Sequence, residues 1–64
     1  MLVDDLRTGM LVTHPALEDL GPVRVERIGR ARGRKVPVWF SGPSGKRLGK
    51  VDVLTCDDRF EEAR

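Results

Sequence analysis

The sequence predicts a small all-β barrel, and three observations carry that reading. In Lys35-Val36-Pro37-Val38-Trp39-Phe40, the apolar residues Val36, Val38 and Phe40 fall at every second position, the period of a strand with one face on a core. Further short runs of the same kind follow one another at close spacing, joined by glycine- and proline-rich turns rather than by long helical segments. A chain of 64 residues carries only a thin core, so a closed sheet, which leaves no exposed strand edges, suits it better than an open one.

Taken in order, Met1 to Thr8 is an extended entry with Leu2, Val3 and Leu6 as its apolar points. It closes at a Thr8-Gly9 turn. Met10 to His14 is the first strand, with Met10, Val12 and His14 on one face, and Pro15 ends it because it lacks an amide donor. Ala16 to Pro22 is a polar loop closed by the Gly21-Pro22 turn signal. Val23 to Ile28 is the second strand. Val23 and Val25 share a face, but Ile28 breaks the parity, which predicts a bulge or a strongly bent strand near Glu26 to Gly29. Gly29 to Arg34 is a long, mobile hairpin connection leading into the aromatic strand.

Ser41 to Gly45 is a tight reversal built from turn-forming residues. Lys46 to Leu48 is a short fourth strand, bent by Gly49 into a fifth at Lys50 to Leu54, where Val51 and Val53 alternate with Asp52. The acidic tail, residues 55–64, allows a helical turn or two over Asp57 to Arg64, with Asp57 as the N-cap. The expected core therefore includes Val12, Val25, Val38, Phe40 and Val53, in one domain whose folded body spans roughly residues 6–54.

Composition narrows the function. The single cysteine, Cys56, excludes an internal disulfide and suits a reducing cytoplasm. No apolar run approaches a membrane span, and no signal-peptide core is present, so the chain is expected to be soluble. The net charge of +2 conceals a sharp segregation: residues 23–50 hold nine basic residues against Glu26 alone, a net +8, between two acidic ends of −3 each. Such a block points to an anionic partner.

The opening Gly9-Met10-Leu11-Val12-Thr13-His14-Pro15 is followed by Leu20-Gly21, Val23-Arg24-Val25, Val36-Pro37-Val38-Trp39-Phe40 and Gly45-Lys46-Arg47-Leu48. In that order these segments resemble the SH3-like, Tudor-like barrel appended to bacterial helicases such as UvrD and PcrA. More loosely, they are similar to the RNA-polymerase-interacting barrels of CarD and the transcription-repair coupling factor. Pro22 stands where that pattern places a glycine, and the Ala16 to Leu20 loop is longer, as in a distant relative. The resemblance implies a five-stranded SH3-like barrel that docks without catalysis, often on RNA polymerase and sometimes on nucleic acid.

Catalytic readings find no support in the residues. His14, the only histidine, lacks a second histidine or a nearby cysteine for metal binding or base chemistry, and its place before Pro15 suits a structural role. Cys56 could act as a nucleophile only with an activating base close by, and a free thiol of no special reactivity is the expected reading. Gly42-Pro43-Ser44-Gly45-Lys46 lacks the first glycine, the serine or threonine after the lysine, and the following helix of a phosphate loop. Asp57, Asp58, Glu61 and Glu62 read as a solvated terminus rather than a cation site. The expectation is a protein that is not an enzyme and holds no cofactor or metal.

The strongest functional signal is cationic. Arg24 and Arg27 on the second strand join Arg30, Arg32, Arg34 and Lys35 at the hairpin, with Lys46 and Arg47 on the next turn. Arginine forks suit phosphate or carboxylate, although a loop that merely balances the acidic ends would show the same composition. Trp39 lies opposite Val38 and Phe40, so it is an interface anchor, a platform for a base, or a residue covered by the tail through Phe60. The expected function is protein docking at Trp39 and these basic residues, with RNA polymerase or a helicase assembly as the implied partner. Direct binding of DNA or RNA through the arginine-rich hairpin is the alternative, and a spacer domain of a larger protein is the third reading.

Overall fold

In the computed structural model, which describes residues 1–63, the alternating runs form one five-stranded antiparallel sheet. The strands are β1 (Leu11–Thr13), β2 (Val23–Ile28), β3 (Lys35–Ser41), β4 (Arg47–Leu54) and β5 (Glu61–Glu62). They lie in the order β4-β3-β2-β1-β5, so the last strand returns beside the first. Among the described residues, no helix is long and apolar enough to cross a membrane.

Strand parity decides what is buried. Val36, Val38 and Phe40 turn inward from β3 and meet Val12, Val23, Val25 and Val53; Val12, Val25 and Val38 are fully enclosed and Phe40 is 1 % exposed. The register between β2 and β3 shifts between Val25 and Arg27, so Glu26 is the extra residue of a bulge. Beyond it Arg27 pairs with Trp39 and Ile28 with Val38, which returns Ile28 to the inner face. The bulge is where the broken parity of Ile28 places it.

A second irregularity lies between β3 and β4, where Phe40 pairs with Gly49 but Ser41 pairs with Arg47. Leu48 is the extra residue, and Gly49 sits at φ +85°, a conformation that an L side chain rarely adopts. The chain bends there without breaking. The expected fourth and fifth strands, Lys46 to Leu48 and Lys50 to Leu54, are therefore one continuous β4.

The fifth strand comes from the tail instead. No helix forms over residues 57–63, and Arg64 lies outside the described residues. Phe60 provides the reason: it is 2 % exposed, with its ring 6.1 Å from that of Phe40 and 4.5 Å from that of His14. Burying an aromatic outweighs what a short, frayed helix of acidic residues would gain. Glu61 and Glu62 then pair with Thr13 and Val12, and Ala63 donates its amide to the Leu11 carbonyl at 2.8 Å. The Met1 ammonium adds hydrogen bonds to the carbonyls of Asp58 and Phe60.

The Phe40–Phe60 contact also reports the path of the tail. β3 and β5 are three strand positions apart, about 14 Å across a flat sheet at ~4.8 Å per strand. Rings 6.1 Å apart show that the tail before β5 folds back over the inner face of β3. Two short 3-10 segments precede and follow β1. Val3–Asp5 occupies part of the expected extended entry, with Val3 and the following Leu6 buried. Pro15–Leu20 fills the expected loop, with two turns meeting at a kink at Leu17.

Candidate functional site

The outer face of β2, β3 and β4 collects the residues that the inward parity excludes. Trp39 pairs laterally with Arg27 on one side and with Lys50 on the other, making a cation–aromatic–cation row across three strands. The Arg27 guanidinium carbon lies 4.9 Å from the centre of the Trp39 ring, within cation–π range. Next along β3, Pro37 pairs with Asp52. Both Pro37 and Trp39 are half-buried, so the face has an apolar floor with a charged border.

Gly29 makes that floor possible. Its amide donates to the Pro37 carbonyl at 2.8 Å, drawing the end of β2 against β3. A Cβ at position 29 would stand 2.7 Å from Pro37 Cγ and 3.1 Å from Trp39 Cζ3. Contacts so short would push the proline ring or the indole out of place, so the bare backbone of Gly29 lets both lie close to it.

Beyond Gly29 the hairpin closes more tightly than expected. Arg32 and Lys35 exchange backbone hydrogen bonds of 2.8 and 3.1 Å around a Gly33-Arg34 tip, so the expected hairpin connection closes on a two-residue turn. The Arg34 carbonyl also accepts from the Thr55 amide at 2.8 Å, tying the tip to the end of β4. These bonds hold Arg30, Arg32 and Lys35 around a groove of about 480 Å³, shared with Arg27, Pro37, Trp39, Lys50 and Asp52.

Of the expected binding residues, Arg27, Arg30, Arg32, Lys35 and Trp39 are thus brought together. The others are not part of that groove. Arg24 donates to the Gly9 carbonyl at 2.7 Å, toward the β1 side. Arg34 sits at the hairpin tip. Arg47 borders a second hollow of about 390 Å³ beside Glu26, on which Arg27 and Trp39 also abut. Lys46 belongs to the Gly42–Lys46 turn, where its carbonyl accepts from the Gly42 amide at 2.7 Å. Lys50 and Asp52 were not expected at the site. Their signal was present in Val51 and Val53: once those turn inward, Lys50 and Asp52 must share the face of Trp39.

Among the described residues the only ion pair joins Asp57 to Arg59, and the contact of Asp57 with His14 is a hydrogen bond. Arg27, Arg30, Arg32, Lys35, Lys50 and Asp52 therefore carry charges with no ionic partner among the described residues. Five cations and one carboxylate face solvent around one indole.

The other polar cluster is fully engaged and faces elsewhere. His14 is 8 % exposed; its Nδ1 accepts from the Ala16 amide at 3.0 Å, so the proton sits on Nε2, which donates to Asp57 Oδ2 at 2.9 Å. Arg59 reaches both oxygens of Asp57 through its side chain at 3.1 Å and bonds Oδ1 again through its amide at 3.0 Å. These bonds from Arg59, with a smaller contribution from His14, hold the Asp57 carboxyl well below the usual carboxylate range. Asp57 in turn raises the affinity of Arg59 for its proton. With both ring nitrogens occupied, His14 has no lone pair free for base chemistry. The cluster fastens the tail to the end of β1.

The remaining candidates are disposed simply. Cys56 is exposed with a free thiol. Gly42 to Lys46 is a turn leading into β4, and its Gly42 and Gly45 amides point at carbonyls of the turn itself. Phe60 packs on Phe40 at the inner face, so it does not cover Trp39. No family model, curated protein or solved structure matches the chain.

Proposed function

We propose that the sheet forms an SH3-like, Tudor-like barrel serving as a non-catalytic docking module in nucleic-acid metabolism, and that it engages a protein partner through the Trp39 face. The strand order, the two bulges and the packing of Phe60 onto Phe40 support the barrel. One observation carries the docking reading: Trp39 is half-exposed in a groove whose charges form no ion pair among the described residues. A half-buried indole ringed by unpaired arginines has the composition of an interface anchor, where tryptophan and arginine dominate binding energy. The cations select an acidic segment of the partner. RNA polymerase or a helicase assembly is the partner that the sequence resemblance implies.

Direct nucleic-acid binding is favoured by the five cations, which would track a phosphate backbone. Against it, Arg27 already lies over the Trp39 ring, in competition with a base for that surface.

Surface plasmon resonance on immobilised bacterial RNA polymerase core, with the domain as analyte, tests the proposal. Trp39→Ala should weaken binding by about thirtyfold or more, the ~2 kcal/mol typical of an anchor. Replacing Arg30, Arg32 and Arg34 together should act mainly on the association rate. Unchanged affinity in Trp39→Ala would refute the anchor. Salt-sensitive binding of labelled DNA, abolished by the triple replacement, would instead select the nucleic-acid reading.

A further inference from the structure

Asp52 is the one groove residue whose charge opposes the rest. It pairs across the sheet with Pro37, one residue pair along from Trp39–Lys50, and is exposed on the outer face. No ion pair or side-chain hydrogen bond engages it among the described residues, although Lys50 and Lys35 belong to the same groove. A carboxylate in an arginine-rich groove repels every phosphate brought to the cations around it. The sign pattern is matched best by a ligand that is anionic for most of its length and supplies a cation at one point. A phosphodiester strand has no such group, whereas a peptide segment does.

We propose that Asp52 is a specificity-determining residue that turns the groove away from nucleic acid and selects an acidic, extended protein segment with a lysine or arginine at the position facing Asp52. The inference rests on the docking reading of the Trp39 face and deepens it. Along β3, residues two apart on one face are ~6.8 Å apart. A bound segment in extended form therefore meets Asp52 with one side chain and Lys50, beside Trp39, with the next on the same side. The recognised pattern is basic–x–acidic, in either chain direction, with further acids toward Arg27, Arg30 and Arg32. Discrimination of this kind places a repulsive group against the wrong ligand, beside attractive groups for the right one.

The size of the effect follows from Coulomb's law. Reversing one charge ~6 Å from a ligand charge in high-dielectric surroundings changes affinity by about tenfold at low salt. The effect shrinks as screening shortens the interaction. Asp52 is exposed, so substitutions there should leave the fold intact, and thermal melts of each variant verify this.

The test uses the whole chain as wild type, Asp52→Asn and Asp52→Lys. Each is titrated with fluorescein-labelled (dT)12 and with two capped pentapeptides, Glu-Asp-Lys-Asp-Glu and Glu-Asp-Glu-Asp-Glu, at about 50 and 200 mM salt. Expected is a stepwise gain for (dT)12, severalfold in Asp52→Asn and about tenfold in Asp52→Lys at the lower salt. Each peptide's affinity should change about tenfold in opposite directions in Asp52→Lys, so their ratio should move about a hundredfold toward the glutamate-centred one at the lower salt. Three results overturn the inference: (dT)12 affinity that does not change along the series, a peptide ratio that does not change, or peptide binding too weak to measure in all three proteins. Wild-type binding of (dT)12 tighter than of either peptide also overturns it. Trp39→Ala separates the two layers of the argument. Peptide binding that survives Trp39→Ala sinks the docking face itself, while binding lost in Trp39→Ala yet indifferent to position 52 sinks only the role of Asp52.

Discussion

Replacing Phe60 with alanine is the sharpest test of how the fold is held together. Phe60 lies outside the four longer strands, in a segment rich in acid, yet its side chain is 2 % exposed and touches both Phe40 and His14. Truncating a buried phenylalanine to alanine costs about 3–5 kcal/mol, the lost transfer energy plus that of the cavity left behind. A domain of 64 residues has a total stability of roughly 3–10 kcal/mol at typical per-residue values. The substitution therefore removes a third or more of that total, and at the lower end all of it. Phe60→Leu keeps most of the volume and should cost less than ~1.5 kcal/mol. Urea unfolding followed by far-ultraviolet circular dichroism reads both. At a slope of about 1 kcal/mol per molar, Phe60→Ala should lower the midpoint by about 3 M or leave no folded baseline, and Phe60→Leu by about 1.5 M at most. Removing residues 57–64 should act at least as strongly as Phe60→Ala. A Phe60→Ala midpoint within about 0.5 M of wild type would refute the claim that the tail closes the core.

Two further predictions concern the clasp and the floor of the groove. Asp57 binds its proton less readily folded than unfolded, so its contribution to stability is complete above the unfolded value near ~3.9 and is lost as the pH falls through the lower folded value. The urea midpoint of wild type should therefore exceed that of Asp57→Asn at about pH 5, with the gap narrowing toward pH 2; a gap that does not vary with pH would show that the pairing with Arg59 and His14 contributes nothing. Gly29→Ala should cost about 1–3 kcal/mol by overpacking against Pro37 and Trp39. It should also raise acrylamide quenching of Trp39 as the indole is displaced, and unaltered quenching would show that Gly29 does not position the ring.

Local patterns made the inner face of this sheet legible. Val36, Val38 and Phe40 fix which side of β3 is buried because a strand has only two sides, and the parity fault at Ile28 located a bulge without any knowledge of the partner strand. The tail was not legible in the same way. A phenylalanine followed by two glutamates shows no alternation long enough to read, and what makes Glu61–Glu62 a strand is the open edge of β1, some fifty residues earlier in the chain. Likewise, Asp57 is the hydrogen-bond partner that gives His14 its structural role, and the two are 43 residues apart. Composition could show that His14 lacked a catalytic partner, but it could not show what the ring would hold.

The docking face sits between these cases. Arg27, Arg30, Arg32, Lys35 and Trp39 were readable as a group because they are close in sequence and most belong to one hairpin. Lys50 and Asp52 come from the far side of Trp39 and Pro37, and they enter only through the β3–β4 register. That register depends on Leu48 being the extra residue beside Gly49: without this bulge, the residues opposite Trp39 and Pro37 would be different ones. The consequence is chemical as well as geometric. On the sequence-near residues alone, the face is uniformly cationic and equally suited to phosphate or carboxylate. With Asp52 in place it has a sign pattern, and a sign pattern can be matched by a folded or extended protein segment more readily than by a strand of identical phosphates. The proposed preference for protein over nucleic acid thus rests on one residue whose position is set by one bulge.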